Sequence, residues 1–170
     1  YWMLIDQYYD TVMKPNSQHY WQQKYSIEEE IFEQIYMLPY KIIRLTNIQS
    51  LQYKILYRIV NCNQWLCKIK IKDSGQCRFC TETETLEHFF CHCKLTSEFW
   101  SAVISWWNSL DAPKYDVLHE CDIMIGVPEV LGIGKILNCC ILLGKNCIYK
   151  QKQQGKQLNI FLFHFYLEQK

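Results

Sequence analysis

The chain has 170 residues, 49% apolar and 21% charged. That is enough to pack the core of one domain, and it argues against wholesale disorder. A net charge of +1 would speak against a polyanionic partner only if the charges were evenly spread, and they are not.

Taken in chain order, the first helical pattern is a weak one over Ile27 to Met37, closed by Pro39. Thr46-Asn47-Ile48-Gln49 then reads as a capping box and predicts a helix from about Asn47 to Asn61. At about 100° per residue, Asn47, Ser50, Lys54, Arg58 and Asn61 fall on one narrow arc of that helix. Leu51, Ile55, Leu56, Ile59 and Val60 take much of the rest, with Tyr53 and Tyr57. The expected element is a mostly buried helix with one basic stripe. Lys54 and Arg58, four apart, would project together toward successive phosphates. Lys68, Lys70, Lys72 and Arg78 continue the basic run, so these six residues are the candidate nucleic-acid contacts. Tyr53, Tyr57 and Trp65 are interleaved with them. At helical spacing they read first as core, and otherwise as surfaces for base stacking.

The turn signal Asp73-Ser74-Gly75 opens Cys77-Arg-Phe-Cys80, and His88, Cys91, His92 and Cys93 follow. The set Cys77, Cys80, His88, Cys93 reads C-x2-C-x7-H-x4-C. Three thiols and an imidazole at this spacing suit a tetrahedral zinc ion. With all four positions filled by protein, the site would be structural. Cys91 and His92 compete for the fourth place; Cys93 is preferred because Phe89 and Phe90 leave it to converge with His88. The other cysteines (Cys62, Cys67, Cys121, Cys139, Cys140 and Cys147) sit among apolar residues and read as small core side chains.

Beyond the knuckle, Thr96 or Ser97 is expected to cap a helix running to Leu110 and ended by Asp111-Ala112-Pro113. Asp122 to Val127 reads as a short extended piece stopped by Gly126 and Pro128. Ile136 to about Lys152 reads as a helix with an apolar first half and a basic tail, and a last helix starts near Asn159. There is no internal repeat. The best apolar run, Val130 to Gly144, is short of the roughly 18 residues a membrane helix needs. Tyr1-Trp2-Met3-Leu4 shows no basic leader, and the opening without Met reads as a segment of something longer. The predicted fold class is mostly α, a small helical domain stapled by the zinc knuckle. Residues 1–45 form an extension or linker, 46–110 the basic helix, knuckle and following helix, and 111–170 a C-terminal helical part of the same domain.

Charge divides into four blocks. Residues 41–80 hold eight Lys/Arg against Asp73 alone, and residues 135–170 hold six against Glu168. Residues 1–40 and 81–134 are acidic on balance. One basic face would produce such a layout.

Several segments resemble one family. Ile31-Phe32-Glu33-Gln34-Ile35-Tyr36-Met37-Leu38-Pro39-Tyr40-Lys41 is similar to the W-x-x-I-(F/Y/W)-x-(L/I)-P-(F/Y)-K segment of LINE-type non-LTR retrotransposon polyproteins, beyond their reverse transcriptase. Gln52 to Ile59 resembles their Q-Y-K-I-L-x-R-I helix, and Leu66 to Asp73 their L-x-K-I-x-I-x-D connector. Glu84 to Cys93 with Phe99-Trp100 resembles E-T-(I/L)-E-H-(L/F)-F-x-x-C…F-W. Ile123 to Gly126 resembles I-I-x-G, and Leu137-Asn138 through Lys150 resembles L-N-x-I-L-L-x-K-x-x-I-Y-x. The departures are Lys94 for a Pro and an aliphatic residue before Gly126. Neither touches a ligand.

The resemblance implies that Cys77, Cys80, His88 and Cys93 bind the metal. It also implies a non-catalytic segment that binds element RNA or target DNA, lies against the polymerase body, and supports target-primed reverse transcription. An intracellular location follows from it, nuclear or in a cytoplasmic ribonucleoprotein. No polymerase or endonuclease motif accompanies it here. The alternatives are a scaffold presenting acidic residues 81–134, and a relic reading frame.

Overall fold

The structure, a computed structural model, describes residues 15–127 and 132–168. Their order begins with α1 (Asn16–Tyr25), a 3-10 turn (Glu29–Ile31), α2 (Phe32–Ile42), α3 (Thr46–Leu56) and α4 (Asn63–Lys68). A π-helical turn (His88–His92) then leads into α5 (Lys94–Ser109), α6 (Glu120–Ile125), α7 (Gly132–Gln153) and α8 (Ile160–Glu168). The described residues contain no strand, only an isolated antiparallel pair between Gln76 and Thr83. The chain is mostly helical, as its pattern predicts. No helix of the described residues is long and apolar enough to cross a membrane.

α7 is the central element. Leu137, Ile141, Leu142, Leu143 and Ile148 on it are almost fully buried. They share one apolar cluster with Ile48 and Ile55 of α3, Trp100 and Trp107 of α5, and Phe163 of α8. Gly144 lets α5 come close, because a Cβ there would stand 2.6 Å from the Trp100 ring. Trp21, Phe32, Ile35 and Leu38 belong to the same cluster, so α1 and α2 are packed on the body that carries α3 to α8.

Several boundaries differ from expectation. α1 has no counterpart in the sequence reading. Its ten residues are mostly polar, and its apolar anchor is buried Trp21, whose indole N–H donates to the Leu56 carbonyl at 2.8 Å. α3 stops at Leu56 rather than Asn61. The chain instead turns through Arg58 at φ 57°, with Ile59 N–H donating to the Lys54 carbonyl at 2.9 Å. The expected capping box is not formed, since α3 has no side-chain cap. α2 runs past Pro39, which lies inside the helix near its end; a proline there gives up its own N–H bond and crowds the carbonyl four residues earlier, so the helix continues for only three more residues.

α5 starts at Lys94, directly after Cys93, and Thr96 Oγ1 within it donates to the Phe89 carbonyl at 3.2 Å. The segment expected to be extended is α6 instead. His119 and Asp122 form a reciprocal capping box at its start, which a short apolar run does not reveal. Gly126 at φ 95° ends it, and Asn138 clamps the next residue through both Val127 N–H and C=O. Pro128 lies outside the described residues. Cys62, Cys140 and Cys147 are buried as expected, while Cys67, Cys121 and Cys139 are half-buried.

Candidate metal centre

The knuckle is built from backbone bonds. Cys77 N–H donates to the Glu82 carbonyl and Glu84 N–H to the Gly75 carbonyl, both at 2.8 Å, closing a tight hairpin around Cys80. Phe79 N–H points at Cys77 Sγ, 3.5 Å away. Thr85 Oγ1 accepts the His88 N–H at 2.9 Å and starts the next turn. Cys93 N–H reaches back five residues to the His88 carbonyl at 2.9 Å, so the widened turn brings the two side chains to one side.

These bonds gather Cys77 Sγ, Cys80 Sγ, Cys93 Sγ and a ring nitrogen of His88 within 4.8 Å of one another. Cys77 Sγ lies 3.8 Å from Cys93 Sγ, and Cys80 Sγ lies 3.2 Å from His88 Nε2. The thiols are free, and a 3.8 Å separation is far too long for a disulfide. Four donor atoms so close, three of them soft, can hold one metal ion and are compatible with a zinc site. A tetrahedral ion with metal–sulfur bonds of about 2.3 Å separates its sulfurs by about 3.8 Å. Neither competitor for the fourth place belongs to the cluster. Cys91 is buried in the apolar core, and His92 is paired with Glu120.

Burial pushes the Cys77 thiol up to about 12. Burial acts on Cys93 in the same direction, but Lys152 and the backbone N–H groups of Leu95 and Thr96 outweigh it and hold that thiol below its ordinary value. Cys93 thus sits at the N-terminus of α5, where anions are favoured. His88 is held below the usual imidazole range by burial and then by Lys152. Lys152 itself is buried. It donates to the Phe89 carbonyl at 3.2 Å, lies over the Phe89 ring and approaches Glu84 Oε2 at 3.9 Å.

The six expected nucleic-acid residues go to different places. Arg58 leaves the α3 arc, pairs with Glu87 and lies over the Tyr20 ring. Glu87 also accepts the Tyr20 hydroxyl at 2.8 Å and faces Lys24 at 3.4 Å. Burial would raise its pKa, but Arg58 and the Tyr20 hydroxyl reverse this and hold the carboxyl at about 2. A second acid, Glu120, joins Lys24, the Tyr25 hydroxyl and His92. Lys54 stays exposed and lines a groove of about 250 Å³ between α3 and α7, with Asn47, Ser50, Asn146, Tyr149 and Lys150 among its walls. Lys72 and Arg78 line a smaller cleft of about 100 Å³ beside the knuckle, together with Lys152 and Gln153. Lys68 and Lys70 are exposed at the end of α4 and line neither opening.

Sequence reasoning overlooked Lys150 and Lys152. The signal was present in the basic block at 135–170, but nothing local said which block would meet which. No family model, curated protein or solved structure matches the chain.

Proposed function

We propose that this chain is a zinc-stapled, non-catalytic segment that binds RNA or DNA, as in the C-terminal part of a LINE-type non-LTR retrotransposon polyprotein. The observation that carries the reading is the convergence of Cys77, Cys80, His88 and Cys93, in the order and spacing the resemblance requires, to within 4.8 Å of one another. Zinc is the ion of choice for three thiolates and an imidazole. Four protein ligands leave no position for a substrate, so the ion supplies folding energy, about 10–16 kcal/mol in zinc-finger peptides. Three thiolates and a divalent ion leave one negative charge, and buried Lys152 is the cation that acts on Cys77, His88 and Cys93.

Further support comes from segments of the resemblance that meet in the core. Gln52, from the Q-Y-K-I-L motif, accepts from Lys145 Nζ at 2.5 Å, and its amide donates to the Met124 carbonyl at 2.9 Å. Lys145 comes from the L-N-x-I-L-L-x-K motif and Met124 from I-I-x-G, so one buried chain of bonds ties three motifs together. The scaffold alternative gains nothing comparable. Glu84, Glu87 and Glu120, three acids of its docking face, are turned to internal partners.

The test is a salt titration of single-stranded RNA binding by purified protein, with metal content measured alongside. One zinc per chain, and affinity that falls steeply with salt and vanishes on chelation, is the expected result. A folded protein with one zinc and no affinity at physiological salt would refute the nucleic-acid reading and leave the metal site standing.

A further inference from the structure

The two basic blocks of the sequence meet along α7. In the larger groove, Lys54 of α3 stands opposite Lys150 of α7 over a floor of Leu51, Asn146 and Tyr149, and no acidic residue lines it. Lys54 has no ion pair among the described residues. In the smaller cleft, Lys72, Arg78 and Lys152 surround one acid, Glu84, leaving a surplus of positive charge. Glu84 is already engaged by the Asn63 N–H at 3.0 Å. The Arg78 guanidinium lies against Gly155, where a side chain would collide with it; the bare turn at φ 66° after α7 gives it room.

One face of α7 joins the two openings. Asn146, Tyr149, Lys150 and Gln153 follow the i, i+3, i+4, i+7 spacing of a single helix face. The first three line the groove and the fourth lines the cleft. Seven residues of helix span about 10 Å, so the openings are neighbouring stations on one track. The Gln153 amide donates to the Asn61 carbonyl at 3.5 Å, and both residues line the cleft.

We infer that this α7 face is a single composite binding track for the phosphodiester backbone of a nucleic acid. Lys54 and Lys150 hold one phosphate, and Lys72 and Arg78 hold another beside the metal centre. The inference rests on the nucleic-acid reading above and adds to it the place, the paired residues and the role of the C-terminal basic block. It also removes Arg58, which is spent on Glu87, and gives no part to Lys68 or Lys70.

The test uses the full zinc-loaded chain and a labelled 20-nucleotide single strand, in RNA and DNA form, with a duplex of the same sequence. Three double variants are compared: Lys54→Gln with Lys150→Gln, Lys72→Gln with Arg78→Gln, and Lys68→Gln with Lys70→Gln. All six positions are exposed, and unchanged zinc content and circular dichroism confirm folding. Each of the first two pairs is expected to weaken binding about tenfold or more. Each should also lower the slope of log K against log salt by about 1.4 for a single strand. The third pair removes the same charge and should change affinity less than about twofold, which is the result that supports the track. Equal losses in all three variants would overturn the track while leaving nucleic-acid binding intact. A wild-type chain that binds none of the three probes would remove both. RNA, DNA and duplex arms that all respond to the first two pairs support backbone recognition, and loss confined to one arm would overturn it in favour of a form-specific contact.

Discussion

Two regions of this protein are held together by different forces. In the helical body, α3, α5 and α7 bury Ile55, Trp107, Leu143 and their neighbours in one cluster. Across residues 63–84, by contrast, the only buried side chains are Cys77 and Glu84. That stretch has a short helix, a hairpin and two of the four candidate metal-binding residues, but almost no apolar core. The body is thus stabilised by burial, whereas the knuckle has backbone bonds and, in the proposed reading, coordination of a metal ion. The contrast teaches that one chain can contain two kinds of stability whose loss follows different chemistry.

The largest effect expected is from chelation. Removing the ion should raise hydrogen exchange across residues 63–84 by at least about 100-fold, the loss of several kcal/mol of local stability. α3 and α7 should keep most of their protection. Uniform exchange through both regions on chelation would erase the distinction. The reverse test is Ile55→Ala, at a fully buried position of α3. It should cost about 2–5 kcal/mol, read from the urea midpoint, and the knuckle should unfold with the body because its ligands Cys93 and His88 border α5. A knuckle that stays protected while the body melts would show it to be a separate unit.

A smaller effect concerns Lys145, fully buried beside Gln52, whose amine burial pulls down to about 7, only partly offset by nearby Cys91. In the unfolded chain this amine titrates near its ordinary value, so between about pH 7 and 10 the unfolded state holds a proton that the folded state lacks. Stability therefore rises with pH across that window, and the full cost of a buried ammonium is present below it. Relative to Lys145→Met, the wild type should gain roughly 1 kcal/mol per pH unit between pH 7 and 9. A difference that stays flat over that range would mean that Lys145 remains charged in the core.

Much of the body was legible in the sequence, for a physical reason. α5 and α7 carry apolar residues at helical spacing, and that periodicity survives whatever they pack against. The cluster of Cys77, Cys80, His88 and Cys93 was legible because its chemistry is rare and its spacing tight. What escaped depended on partners distant in the chain. α1 is polar by composition and is held by Trp21 reaching α3, 35 residues away. Arg58 looked like part of a stripe because helical continuation was assumed, yet the chain turns there at φ 57° and sends the side chain to Glu87. Lys150 carried no local sign that it would stand across from Lys54. α6 was hidden by brevity, since six residues have no period to read.

The π turn between His88 and Cys93 bears on how this site tolerates insertion and deletion. In a regular α-helix, residues five apart diverge by about 140° around the axis, so an H-x4-C spacing could not close on one ion. The widened turn corrects that angle, and the count of four intervening residues is therefore tied to the backbone form. Deleting any one of Phe89, Phe90, Cys91 or His92 would shorten the interval to the four-residue step of an ordinary helix. The ligands could still approach, but the residues left between them would lose the register that now buries Phe89, Phe90 and Cys91. The metal site and the apolar body are locked to the same residue count, so a length change at this turn must injure one of them.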